Sequence, residues 1–157
     1  MCPLDASDHG PAERLLADLL ADAAFAVVQG FAAELRRRGA SLPVWRVLAA
    51  LSAQPGETVG GLAEASLLQQ PTMTKLLDRM AIEGLVTRSR DARDRRVIHV
   101  ALTPRGRRLA AKLLAVAERH EAEVLARHPQ AAAIKPVLRD IVALSGPAPR
   151  ARNGEAV

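Results

Sequence analysis

Apolar residues recur at steps of three and four along most of this chain and switch to steps of two in one short stretch. Leu15, Leu16, Leu19, Leu20, Ala23, Ala24, Val27, Phe31 and Leu35 define a long helix from Pro11 to about Arg38. Arg36, Arg37 and Arg38 followed by Gly39 close it, with cations in the last turn and a glycine beyond. Ser41 is placed to cap a second helix, Pro43 suits its first turn, and Val44, Val47, Leu48 and Leu51 carry its apolar side. Pro55-Gly56 reads as a turn. Thr58 caps a short helix containing Leu62 and Ala63, and Ser66 to Gln69 break the pattern again. The next helix opens at Pro71 and ends at Gly84. Its Met73, Leu76, Leu77 and Met80 form a continuous stripe, while Thr74, Lys75, Asp78 and Arg79 share the polar side, with Gln70 and Thr72 near the amino end.

The period of two follows at once. Leu85 to Arg90 and Val97 to Leu102 read as two strands, and in the second Ile98, Val100 and Leu102 alternate with Val97, His99 and Ala101. The turn between them is Asp91-Ala92-Arg93-Asp94-Arg95-Arg96. Five arginines, at 88, 90, 93, 95 and 96, are opposed by only Asp91 and Asp94. A projecting hairpin loaded with guanidinium is what a polyanion meets first. His99 is expected to be half-buried and structural, or to face DNA.

Thr103-Pro104 then starts a long helix through Leu109, Leu113, Val116, Ala117, Val124 and Leu125 towards Arg127. Pro129 interrupts it. A last helix carries Val137, Leu138, Ile141, Val142 and Leu144, and Pro136 either kinks it or begins it. Residues 1–10 and 146–157 are expected to be flexible tails. A short helix, a tight turn and a helix with one buried stripe and one polar face describe a helix-turn-helix. With the hairpin as a wing, the expected fold is mainly α: a winged helix-turn-helix over 41–102, with long terminal helices over 11–40 and 103–145. Those helices carry more apolar surface than the small domain between them can bury alone, so they are assigned to a dimer interface.

Composition narrows the partners. The chain has 157 residues, 49% of them hydrophobic, and a formal charge of +5. Among 22 basic residues only Lys75, Lys112 and Lys135 are lysines, and the aromatic residues are Trp45, Phe25 and Phe31. A basic balance suits nucleic acid, an acidic membrane or an acidic protein, and arginine's planar fork favours phosphate and guanine edges. Threonine, glutamine and lysine at the start of a recognition helix hydrogen-bond base edges or phosphates. The one cysteine, Cys2, excludes an internal disulfide and a cysteine-based zinc site. Asp18 and Asp22 interrupt the apolar segment from Leu15 to Val28, so neither a signal peptide nor a membrane span is expected, and the cytoplasm is the default location.

The string from Thr58 to Arg107 resembles the MarR family of bacterial transcription regulators. The resemblance rests on Leu62-Ala63-Glu64, Thr74-Lys75-Leu76-Leu77-Asp78-Arg79-Met80, Glu83-Gly84-Leu85-Val86, the wing from Asp91 to Arg96, and Leu102-Thr103-Pro104-Arg105-Gly106. With the flanking helices it covers about residues 11 to 145. It implies a homodimer that presents two winged helices to a pseudo-palindromic operator on double-stranded DNA, their recognition helices roughly 34 Å apart. It also implies repression relieved by a small, often phenolic or carboxylated, effector. Carried over by position, Gln70, Thr72, Thr74 and Lys75 would approach bases and phosphates, with Arg79 nearer the backbone. Arg96 would enter a groove, Asp94 would orient the wing through an ion pair, and Arg93 and Arg95 would meet phosphates. Pro71 and Met73 are less usual for the family and leave base preference open.

Three other readings compete. Redox sensing would need a cysteine near the first helix, commonly beside tyrosines; Cys2 lies in the expected tail and the chain has no tyrosine. A winged helix that binds protein would not require five wing arginines. For an enzyme, Gly-x-Ser-x-Gly, His-Glu-x-x-His, a phosphate loop and any nucleophile–base pairing are all missing. No cofactor is expected. His120 and His128 are too far apart on one helix for a metal site by themselves. Trp45 could line an effector pocket, although a core anchor is its more ordinary role.

Overall fold

The second and third helices begin, and the fourth ends, where the capping chemistry puts them. The computed structural model describes residues 15–94, 96–128 and 130–145. Its order is α1 Leu16–Arg37, α2 Leu42–Ala53, α3 Val59–Ala65, α4 Gln70–Ile82, β1 Val86–Arg90, β2 Ile98–Leu102, α5 Pro104–Leu125 and α6 Ala131–Ser145. Ser41 accepts the Val44 N–H at 3.5 Å and Thr58 accepts the Gly61 N–H at 3.1 Å, so α2 and α3 start at their expected caps. Gly84, at φ +68°, stops α4 in the left-handed conformation that glycine adopts without penalty. The expected tails, Cys2 and Arg95 lie outside the described residues.

The hairpin is antiparallel, with Val86 opposite Leu102 and Arg90 opposite Ile98. Thr58 adds an isolated bridge to His99, and the Val100 N–H donates to the Glu57 carbonyl at 2.8 Å, so β2 is bonded on both edges. One compact unit runs to His120 and a second begins at Glu121. The core of the first joins Val47, Leu48 and Leu51 of α2, Leu62 of α3, Met73, Leu77 and Met80 of α4, Val100 of β2 and Leu113 of α5. Leu35 and Phe31 bring the end of α1 into it.

The hairpin is joined to α5 through Thr103. Its hydroxyl donates to the Gly84 carbonyl at 2.6 Å and accepts the Gly106 N–H at 3.0 Å, while its N–H donates to the Leu85 carbonyl at 3.0 Å. A Cβ on Gly106 would run into that same Leu85 carbonyl, so only glycine lets α5 seat this closely. In the second unit Pro136 lies inside α6 rather than at its start. Its missing N–H leaves the Ala132 carbonyl without the usual i→i−4 donor. Lys135 pairs with Glu121 at 2.7 Å.

α1 bears on the membrane expectation. At 22 residues it is long and apolar enough on average to cross a membrane, despite Asp18 and Asp22. A core helix of a globular protein has the same length and composition. Its end packs as in a globular core: Phe31 meets Trp45 edge-on at 5.7 Å and stacks on His120 at 5.7 Å. Further back, Leu16, Leu19, Phe25 and Val27 are exposed on the single chain.

The turn between α3 and α4 holds one strained residue. Leu67 has φ +55° and is 81% exposed, while its N–H and that of Leu68 close α3 on the carbonyls of Glu64 and Ala63. A branched residue in this conformation costs roughly 1–2 kcal/mol, partly offset by the extra unfolded-state freedom of a glycine replacement. Leu67→Gly is therefore expected to raise unfolding stability by about 1 kcal/mol, read as a higher denaturant midpoint at unchanged slope. A lower midpoint would show that the exposed leucine makes a contact outweighing its strain.

Candidate nucleic-acid interface

Burial divides α4 lengthwise. Met73, Leu76, Leu77 and Met80 are buried, whereas Gln70, Pro71, Thr72, Thr74, Lys75, Asp78 and Arg79 are exposed. Each expected contact residue of this helix therefore lies on its solvent side. The Thr74 hydroxyl donates to the Gln70 carbonyl at 3.0 Å, a bond within the helix that leaves its lone pairs outward. The Gln70 amide lies over Gly60 of α3, 3.8 Å from the position a Cβ would take there. Thr72, Lys75 and Arg79 line a hollow of about 260 Å³ with Pro43, Leu68 and Leu76. Arg79 approaches Glu83 at 3.8 Å, a loose surface pair that leaves the guanidinium available.

Arg88 has a different task from its neighbours. From β1 its guanidinium donates to Asp78 Oδ1 at 2.7 Å and to the Thr74 carbonyl at 3.1 Å. A charge-assisted bond and a backbone bond from one planar group fix the hairpin against α4. The side chain is 24% exposed, so this arginine is a brace rather than a free cation of the wing. In the sequence it looks like the other four wing arginines, because the pairing is brought about only by the docking of strand on helix.

At the turn, Asp91 Oδ1 accepts the N–H groups of Arg93 at 2.7 Å and Asp94 at 2.9 Å, and Asp94 Oδ1 accepts that of Arg96 at 2.9 Å. These bonds shape the loop while Arg90, Arg93 and Arg96 remain exposed. Asp94 Oδ1 thus bonds to backbone within the loop. Backbone bonds from Asp94 and Arg93, then the bond to His99, push the Asp91 carboxyl down to about 2. His99, half-buried, has Nδ1 2.7 Å from the Gly56 carbonyl and Nε2 3.1 Å from Asp91 Oδ2. Of the two roles expected for it, this is the structural one. Its acidic partner, eight residues away across the turn, carried no local signal.

A second concavity lies behind the hairpin. Trp45, Ala49 and Leu51 of α2, Leu102 of β2, and Ala110 and Leu114 of α5 line a largely apolar pocket of about 660 Å³. Arg107 stands among them and donates to the Leu102 carbonyl at 2.9 Å. Trp45 serves both as a core anchor, through Phe31, and as pocket wall. Among the described residues no three His, Cys, Asp or Glu side chains converge as a metal site would need.

Known proteins share this fold. A family profile described as MarR family matches residues 41–98. The MarR family transcriptional regulator SPO1453 of Silicibacter pomeroyi is 36% identical, with a TM-score of 0.79 over 88% of this chain and 100% of its own. The Mycobacterium tuberculosis MarR family protein Rv2887, solved in complex with salicylic acid, is 30% identical at TM-score 0.69 over 85% and 98%. The Escherichia coli transcriptional regulator HosA is 33% identical over 85 residues, which span 54% of this chain and 63% of HosA. With its capped helix-turn-helix, braced arginine wing and near-complete superposition on SPO1453, the chain belongs to the MarR family.

Proposed function

We propose that this protein is a sequence-specific DNA-binding transcriptional regulator that represses by occupying a pseudo-palindromic operator as a homodimer. The observation that carries the reading is the brace from Arg88 to Asp78 and Thr74. It couples an outward-facing recognition helix to an arginine-tipped hairpin as one body. In this reading α4 enters the major groove with Gln70, Thr72, Thr74 and Lys75 towards bases and phosphates and Arg79 nearer the backbone. Arg96 reaches the adjacent groove, and Arg93 and Arg95 meet phosphates. Residues 41–102 form the DNA-binding domain. Residues 11–40 and 103–145 supply dimer contacts, supported by exposed Leu16, Leu19, Phe25 and Val27 on α1 and Val137, Leu138, Val142 and Leu144 on α6. Apolar surface on this scale favours a partner of matching pattern, and a second copy of the chain provides it. Such a regulator acts in the cytoplasm, on the chromosome.

The pocket behind the hairpin suits an effector. Its apolar walls with one cation complement a small aromatic carboxylate, the class to which the salicylic acid held by Rv2887 belongs. A ligand there touches α2, β2 and α5 together, so it acts on the elements that carry the wing.

Fluorescence anisotropy on DNA upstream of the protein's own coding region, against a scrambled duplex across a salt series, tests the reading. Binding at least ~10³-fold stronger than to scrambled DNA is expected; equal binding to both would refute sequence specificity. Arg96→Ala should weaken operator binding by ~1–3 kcal/mol with the dimer intact, and Lys75→Ala should flatten the salt slope by about one unit. Unchanged values would remove each from the interface. Adding salicylate should release the operator. Arg107→Ala should weaken that response by about 1.5–3 kcal/mol, the range of a bond to a charged group, without the same loss for an uncharged analogue. Equal losses would place the carboxylate elsewhere.

A further inference from the structure

β2 is held between β1 and the connection from α2 to α3, and His99 sits where these meet. It is paired with Ser89 in the ladder and bridged to Thr58 on the other edge. Its ring has an acceptor at each nitrogen: the Gly56 carbonyl at 2.7 Å from Nδ1 and Asp91 Oδ2 at 3.1 Å from Nε2. A carbonyl and an ionised carboxylate can only accept. A neutral imidazole has one N–H and must present a lone pair to one of these oxygens. The imidazolium has two and satisfies both.

Asp91 passes this choice on to the wing. While Oδ2 faces His99, Oδ1 accepts the N–H groups of Arg93 and Asp94. One carboxylate therefore joins the ring to the loop that displays Arg93 and Arg96, and Nδ1 joins the same ring to the start of the helix-turn-helix. The charged groups acting on His99 are Asp91 from the turn and Glu57 from the α2–α3 connection, both acidic. On β1 the facing residue is Ser89, and its neighbour Arg88 is engaged by Asp78.

We propose that His99 is a proton-dependent latch, a positioning residue that in its doubly protonated form ties the wing turn to the α2–α3 connection and thereby strengthens DNA binding. Loss of one ring proton opens one of the two ties, and the operator is held less tightly as the medium becomes alkaline. The proposal rests on the reading of the hairpin as a DNA contact. The Gly56 carbonyl first, then Asp91, raise the pKa of His99 above its ordinary 6.5. A group raised on folding contributes fully below about 6.5 and loses that contribution as pH climbs through the folded value. The Asp91 carboxyl, held at about 2, stays ionised throughout.

Operator affinity is measured by anisotropy from pH 6 to 8.5 at fixed ionic strength for the wild type and for His99→Gln. Nitrogen NMR of the ring and protection factors of the Arg93 and Asp94 amides are followed in the free protein over the same range. The wild-type affinity should fall with rising pH, by no more than about tenfold per unit, the ceiling for one proton. The variant should show a flat profile near the wild type's alkaline limit. Both ring nitrogens should be protonated at pH 6, and protection at Arg93 and Asp94 should drop as one proton leaves. Parallel pH profiles in the two proteins, or a ring that titrates without any change at those amides, would overturn the latch. If the wild type binds no duplex at any pH, the DNA reading fails and the NMR alone decides whether the latch exists. Should His99→Gln not fold, Asp91→Asn takes its place, with loss of the pH slope again expected and its persistence counting against the proposal.

Discussion

Burial of Met73, Leu76, Leu77 and Met80 beneath α4 is the constraint on which the rest of the molecule depends. The stripe seats the helix on α2, α3 and β1 and so decides which residues face outward. Fully burying a large aliphatic side chain stabilises by about 1.5–3 kcal/mol, more than any exposed ion pair nearby contributes. Rotation of α4 about its axis would have to expose part of that stripe. The outward direction of Thr72, Thr74 and Lys75 is therefore a consequence of packing rather than of the polar residues themselves.

Once α4 is fixed, the hairpin inherits its orientation. Arg88 reaches Asp78 and the Thr74 carbonyl only because Val86 and Leu85 are buried at the hairpin base. At the same base Thr103 and Gly106 clamp the start of α5 onto the Leu85 carbonyl. At the opposite end the turn is shaped by acidic side chains bonding to backbone, and Arg93 and Arg96 stay exposed there. Opposite charges on the hairpin thus divide the work: aspartates organise the loop, and most guanidinium groups remain available.

α1 shows how little average hydropathy says about location. The same 22 residues meet the length and composition of a membrane span and bury Phe31 and Leu35 in a globular core. Their distribution separates the two uses. Phe31 takes a defined place against Trp45 and His120, which uniform lipid does not require. Further back, Leu16 and Leu19 stay exposed on the single chain.

Much of this was legible in the sequence because it depends on near neighbours. Ser41, Thr58 and Gly84 mark helix ends through bonds or dihedral angles a few residues away. The stripe of α4 and the alternation in β2 follow from the repeat of each element. Even the resemblance to the MarR family rested on short strings at fixed spacing. The tertiary structure alone decided that Arg88 is a brace, that His99 has acceptors from two different loops, that Leu67 is left-handed, and that Trp45 shares a pocket with Arg107. Pro136, ambiguous by its position, proved compatible with a continuous α6. The physical reason is range. Capping and periodicity act over one or two turns of chain, whereas a bond from His99 to Gly56 spans 43 positions and exists only after the core has brought them together.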